Sequence, residues 1–327
     1  MTLSDFLLQW NDDSPTLLVH TSGSTGEPKP LMVEKKRMVA SARMTLQFLG
    51  LKPGDTALLC MPLDYIAGKM MAVRTMVGQL QLTDVGAVGH PMADEAAGDR
   101  HFDFVAMVPL QVYNSLRVEK ECERLMRVRH LLIGGGAIDH ELAVQLKKFP
   151  HAVWSSYGMT ETLSHVALRR VNGPMASEYY TPLPGVTVTA DGDHCLVVDA
   201  PMVSATRLVT NDIVEWAPNG RDFAVIGRKD NVICCGGVKI QAEEVERRLR
   251  PLIHVPFMIA KERDAKFGEI PVLVIECGET GHLSELFASV LPKYWWPKKI
   301  VSVSALPLTK TGKPKRRLKT SQPLTAD

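Results

Sequence analysis

The chain has no run approaching the ~20 consecutive apolar residues that a membrane-spanning helix requires. Its start also lacks the basic opening and apolar core of a secretory leader: Asp5 and the Asp12-Asp13 pair stand where that core belongs. Net charge is small, +2 from 38 basic and 36 acidic residues, which argues against nucleic acid or a membrane surface as the main partner. The 6 cysteines are scattered, and although Cys234 and Cys235 are adjacent, none has metal-site spacing; reduced thiols in a cytoplasmic protein are the reading that follows. Internal repeats and low-complexity segments are missing too. What remains is an ordinary globular composition, 45% hydrophobic and 23% charged over 327 residues, enough for two domains with a sizeable core.

Strand-like apolar runs at 17–20, 57–61, 104–108, 130–133 and 152–155 alternate with helical spacing at 37–49, 69–77, 112–118 and 139–149. This alternation predicts an α/β core built on a largely parallel sheet. From about Tyr180 the texture shifts to short β-prone runs (186–189, 195–199, 207–209, 223–226) separated by Gly, Pro and Asp turns, the pattern of a small twisted β subdomain. A junction at 227–229 then divides the chain into 1–229 and 230–327. The second part carries a glycine turn, helices at 242–250 and 283–291, and strands near 255–260 and 271–276.

The stretch TSGSTGEPK, residues 21–29, follows the apolar run Leu17-Leu18-Val19. A strand feeding a turn rich in glycine and small hydroxyls presents N–H groups and hydroxyls to phosphate oxygens, and Lys29 adds positive charge. The spacing is not that of a Walker A loop. Further on, YGMTE at 157–161 follows a strand, the carboxyl-end position where α/β proteins bind ligands. TND at 210–212, GRKDNVICCGGVKI at 227–240 followed by EEVE, and PLTKTGK at 307–313 complete the series, with LLIGGGA at 131–137 and MPLDYIAG at 61–68 before it.

In this order and spacing, these motifs resemble the acyl-adenylate-forming enzymes: acyl-CoA ligases, non-ribosomal adenylation domains and luciferases. The resemblance implies ATP, Mg²⁺ and the co-substrate CoA. Thr21, Ser22, Gly23, Ser24, Thr25, Gly26 and Lys29 would hold phosphate; Gly134, Gly135 and Gly136 would contact the adenylate and line the acyl pocket. Tyr157, with Gly158, would pack against adenine, Thr160 would contact the α-phosphate and Glu161 would hold the metal. Asp212, which keeps its place although Asn211 replaces the family's glycine, and Arg228 would bind ribose, with Asp230 as hinge. Gly236, Gly237 and Lys239 would pass the pantetheine arm of CoA, since side chains there would block it. Lys313 would stabilise the charge that develops on carboxylate and α-phosphate oxygens. Its neighbours Lys310, Lys315, Arg316, Arg317 and Lys319 read as a solvated basic tail.

Ordinary family members have a whole subdomain before the phosphate loop, so 1–229 is expected to be a nucleotide-binding domain without it. The segment 230–327 is expected to be a small mobile α+β domain carrying the catalytic lysine. Size and the stretch PLDYIAGKMMAVRTM are most similar to short o-succinylbenzoate–CoA ligases of menaquinone biosynthesis. Their diacid calls for a cation, supplied by Lys69 or Arg74, while Tyr65 stands where the family's histidine is usual. The alternatives are an aryl- or fatty-acyl-CoA ligase of other specificity and a non-catalytic nucleotide-binding module. The partners expected are small molecules, neither nucleic acid nor membrane; a homodimer covering the flank of the sheet is left open.

Overall fold

Phe104–Met107 is buried at every position, as a parallel strand covered on both faces must be. In the computed structural model, which describes residues 1–20, 29–276, 283–308 and 314–316, this strand lies inside a seven-stranded sheet. The order is Gln81–Asp84, Thr56–Leu59, Phe104–Met107, His130–Ile133, Ala152–Gly158, His165–Arg170, Thr181–Pro182. The first five strands run parallel. The last two return antiparallel.

Lys35–Leu49 leads into the sheet, and Ile66–Gly78 is the crossover between the parallel strands Thr56–Leu59 and Gln81–Asp84. Lys35–Leu49 buries Met38, Ala42, Thr45, Leu46 and Leu49 at 3–4 residue spacing and ends on Gly50 in the left-handed conformation. Ile66–Gly78 instead buries a continuous block from Gly68 to Thr75. Such a helix is enclosed by protein, and any charge on it is enclosed as well. Gly68 permits its close entry, since a Cβ there would lie 2.3 Å from the Pro62 carbonyl oxygen.

By compactness, the described residues of Met1–Thr189, Val197–Leu208 and Trp216–Ala224 form one unit. Ala190–Leu196, Val209–Glu215 and the described residues from Val225 onward form the other. The strands Thr187–Ala190, Cys195–Asp199, Leu208–Trp216 and Phe223–Arg228 follow one another in a four-stranded sheet, where short β runs were expected. Further along, Val238–Gln241, Val232–Cys235, Gly268–Glu276 and Phe257–Asp264 make a second sheet, with Lys299–Val303 parallel to Gly268–Glu276. Helices Ala242–Leu249 and Leu283–Val290 contribute Val245, Leu249, Leu283 and Phe287 to the apolar cluster beside it.

The fold is α/β as expected. Several elements were not anticipated: the helices Leu3–Trp10 and Glu119–Met126, and the strands Pro30–Glu34, Gln81–Asp84, His165–Arg170 and Lys299–Val303. Among the described residues no helix is long and apolar enough to cross a membrane.

Candidate active site

Ala152–Gly158 delivers Tyr157 and Gly158 to the carboxyl end of the parallel strands, and the pairing with His165–Arg170 slips between those two residues. Tyr157 lies opposite Ala167, but Gly158 lies opposite His165. Gly158 cannot carry a side chain, because a Cβ would sit 2.2 Å from the Ser164 carbonyl oxygen and 2.5 Å from the His165 Cα. The chain then makes a single 3-10 turn, Thr160–Thr162, with Thr160 buried and Glu161 exposed. Thr162 ties this turn together: its hydroxyl accepts from the Met159 N–H at 3.0 Å and lies 2.7 Å from the Ser164 carbonyl oxygen. Leu163 follows at φ 64, a left-handed position that a bulky residue adopts only under constraint. The Tyr157 ring stands edge-on to Phe223 at 5.2 Å and 5.9 Å from Tyr180.

Beside this turn is Gly134-Gly135-Gly136, after the strand His130–Ile133. A Cβ on Gly134 would meet the Ser156 hydroxyl at 2.5 Å, and Gly135 sits at φ 79. Gly135 is therefore favoured as glycine by its backbone shape, without reference to any ligand, whereas the contact at Gly134 is with a serine hydroxyl that can rotate. Lys29 is exposed next to the strand Pro30–Glu34, which pairs with Thr16–His20 in register His20 to Pro30. Thr21, Ser22, Gly23, Ser24, Thr25 and Gly26 lie outside the described residues, as does Lys313.

Lys69 and Arg74 share the helix Ile66–Gly78, and each is only 2% exposed. Neither is a solvated charge on the helix surface. Nor are they brought together. The Lys69 ammonium lies 3.4 Å from the Met1 sulfur and 5.6 Å from the centre of the Phe6 ring, and burial lowers its pKa. Arg74 turns toward Thr45 and Ser164, donating from Nε to Thr45 Oγ1 at 3.1 Å and from Nη2 to Ser164 Oγ at 2.5 Å. Burial pulls Arg74 down to about 9, still protonated at neutral pH, and no carboxylate among the described residues is within ion-pair reach. His165, which sequence reasoning missed, lies 2.9 Å from Thr45 Oγ1 and 3.3 Å from Ser164 Oγ. Burial, reinforced by the Arg74 charge, holds its pKa well below the ordinary 6.5. Tyr65 caps the start of the helix and is 42% exposed.

In the second unit, Arg228 gathers two of the expected residues. It donates to Asp212 Oδ1 at 2.8 Å and to Asp230 Oδ2 at 3.1 Å. Asn211 reaches the same Asp230 carboxylate at 3.2 Å. Gly236 and Gly237 lie at φ 55 and 86, as a two-residue hairpin between the paired Cys235 and Val238 demands. Lys239 is exposed on the returning strand. Arg316 is a correction to the solvated-tail reading. It is largely buried, donates to Glu246 Oε2 at 2.9 Å and to the Ile259 carbonyl at 2.9 Å, and makes a second, shorter bond to Glu246 Oε1. Leu308 and Pro314, the residues on either side of 309–313, form an isolated antiparallel bridge.

The model of the AMP-binding enzyme family matches residues 7–203, and the chain belongs to that family. It is 28% identical over 285 residues to the 2-succinylbenzoate–CoA ligase of Salmonella typhimurium and 29% identical over 303 residues to that of Escherichia coli. These alignments cover 83% and 88% of this chain but only 60% and 64% of the two ligases. Among solved structures, an acyl-CoA synthetase (AMP-forming)/AMP-acid ligase II-like protein from Dyadobacter fermentans is 40% identical, with a TM-score of 0.66 over 95% of this chain and 91% of that one. Wild-type E. coli MenE with a bound m-phenylether-linked analogue of OSB-AMS is 26% identical, with a TM-score of 0.71 over 93% of this chain and 68% of that one.

Proposed function

We propose that the chain is an AMP-forming acyl-CoA ligase acting on o-succinylbenzoate, a step of menaquinone biosynthesis. In the first half-reaction a substrate carboxylate oxygen attacks the α-phosphorus of ATP, forming the acyl-adenylate and expelling pyrophosphate. In the second, the CoA thiol loses its proton and its sulfur attacks the acyl carbonyl, forming the thioester and expelling AMP. Tyr157 packs on adenine, Thr160 and Lys29 contact phosphate, and Asp212 and Arg228 hold ribose. Lys313 supplies positive charge in the adenylation step, Asp230 is the hinge, and the glycine pair Gly236-Gly237 passes CoA.

Glu161 fits a magnesium ion as one hard oxygen ligand completed by nucleotide phosphates, which matches how that ion is usually held. Among the described residues no group of three His, Cys, Asp or Glu could hold a metal by itself. When bound, the ion would neutralise phosphate charge.

The observation that carries the substrate assignment is Arg74, a buried guanidinium without a counter-ion among the described residues, hydrogen-bonded to Ser164 shortly after the turn with Thr160 and Glu161. Lys69 is directed at Phe6 and Met1, so Arg74 is the cation for the second carboxylate. The curated relatives named 2-succinylbenzoate–CoA ligase support the same acid. The test is AMP formation from ATP and o-succinylbenzoate, with and without CoA, beside benzoate and a medium-chain fatty acid. AMP and thioester with o-succinylbenzoate alone are expected. Turnover with another acid instead would keep the reaction and overturn the substrate.

A further inference from the structure

We propose that Thr45 and His165 are positioning residues. They hold the Arg74 guanidinium and the Ser164 hydroxyl in a fixed, proton-ordered ring that leaves the arginine's charge uncompensated until a second carboxylate of the acid substrate supplies it. The inference rests on the ligase reading above and adds the residues that set its selectivity.

The ring closes through four hydrogen bonds: Arg74 Nε to Thr45 Oγ1 at 3.1 Å, Thr45 Oγ1 with His165 Nε2 at 2.9 Å, His165 Nδ1 with Ser164 Oγ at 3.3 Å, and Arg74 Nη2 to Ser164 Oγ at 2.5 Å. Proton accounting orders it. The Thr45 hydroxyl donates to the Ser41 carbonyl at 3.2 Å, one helical turn back, so its lone pairs face Arg74 and His165. His165 must then carry its proton on Nε2 and accept at Nδ1. The Ser164 hydroxyl donates to that Nδ1 and accepts from Arg74. Every bond is used once, and the arrangement requires a neutral imidazole. A protonated ring could not accept from Ser164. The titratable and charged groups in the ring are Arg74 and His165 themselves; burial and the arginine's charge both keep His165 neutral.

Three buried members and one half-buried serine satisfy N–H groups without neutralising the guanidinium. A buried charge without a partner is expensive, and an apolar residue of similar volume usually stabilises a fold at least as well. Stability therefore gives no reason for this arrangement. Its position does: Ser164 is packed against Gly158 and bonded by Thr162, so the ring backs the turn expected to hold the adenylate. Nη1, the arginine nitrogen outside the ring, has no hydrogen-bond partner among the described residues.

The test measures kcat/KM for pyrophosphate release with o-succinylbenzoate and with benzoylpropionate, the same skeleton without the ring carboxylate. Wild type is expected to prefer the diacid. Thr45→Val should reduce that preference by roughly tenfold or more, chiefly through KM for the diacid, because the guanidinium loses its aim. Thr45→Ser, which keeps the hydroxyl, should restore it. A folded Thr45→Val protein with wild-type selectivity would overturn the inference. Should that variant not fold, His165→Gln, whose amide can serve only one of the two hydroxyls, carries the same test with the same refuting result. A wild type that does not distinguish the two acids overturns the substrate reading itself, before any variant is compared.

Discussion

Acid should destabilise this protein well above the range where carboxylates titrate, and His130 is the group through which this can be measured. The imidazole opens the strand His130–Ile133, where its Nδ1 accepts from the Trp154 indole N–H at 3.4 Å. Burial, then the charges of Arg129 and Arg170, lower it from 6.5 to about 4. A histidine kept neutral in the fold but free to protonate when unfolded makes the unfolded state bind more protons between those two values. Its contribution is therefore fully present above pH 6.5 and is lost as pH falls toward 4. At ~1.36 kcal/mol per pH unit the whole effect is about 3 kcal/mol, a ceiling for a group that keeps some solvent contact, and about 2.5 kcal/mol of it is gone by pH 4.5. His165 acts in the same direction, so wild type should lose more than this. His130→Asn places an amide oxygen near the position of Nδ1 and keeps an acceptor for Trp154 without a titrating group. Urea unfolding at steps from pH 7 to 4.5 should give a flatter stability curve for the variant, by up to about 2.5 kcal/mol at the acid end. Parallel curves for the two proteins would refute the reasoning.

Gly158→Ala should destabilise by about 1–3 kcal/mol or more, because the new methyl group meets the backbone of Ser164 and His165; a melting temperature equal to wild type would contradict the 2.2 Å approach. Arg316→Ala strands the Glu246 carboxylate in a buried place and should cost about 3–5 kcal/mol, read by denaturant unfolding, far beyond what loss of a tail residue could cause. Gly237→Ala, at φ 86, should lower stability by about 1 kcal/mol or more even where no ligand is present, which thermal unfolding of the apo protein would detect. On the proposed mechanism, Lys313→Ala should abolish adenylation while leaving thioester formation from a supplied acyl-adenylate largely intact; equal loss in both half-reactions would remove Lys313 from its role.

The parallel core could be read in advance because its strands are continuous apolar blocks and its helices have helical spacing. Phe104–Met107 and Lys35–Leu49 carry those signals without interruption. The missed elements carry conflicting ones. Glu119–Met126 is dominated by charge, and its Glu121 and Arg124 are buried by partners from another segment, His90 and the Asp94-Asp99 pair. His165–Arg170 begins with histidine and ends with two arginines, so its alternation is masked, although Val166, Ala167 and Leu168 are core. Pro30–Glu34 begins at a proline and becomes a strand because Thr16–His20 lies beside it to pair with.

Motifs locate a site, but burial determines how its charges act, and burial is a property of the fold. Lys69 and Arg74 are equivalent in the sequence, two cations on one helix. Only the packing directs one at an aromatic ring and the other at the neutral hydroxyls of Thr45 and Ser164. Arg316 shows the opposite case. Within a basic run it is indistinguishable from Lys315, which is exposed, yet it reaches inward to Glu246 and the Ile259 carbonyl and fixes the chain just after 309–313. The two arginines differ in one physical respect. Arg316 is neutralised by Glu246 and therefore contributes to holding the fold, whereas Arg74 is hydrogen-bonded but not neutralised by any described residue. A second carboxylate entering beside Arg74 would gain a charge-assisted bond that no group in the described chain already satisfies. On the proposed function, such an interaction would separate a diacid from a monoacid more sharply than apolar contacts would, because binding the monoacid leaves the guanidinium buried and unpaired.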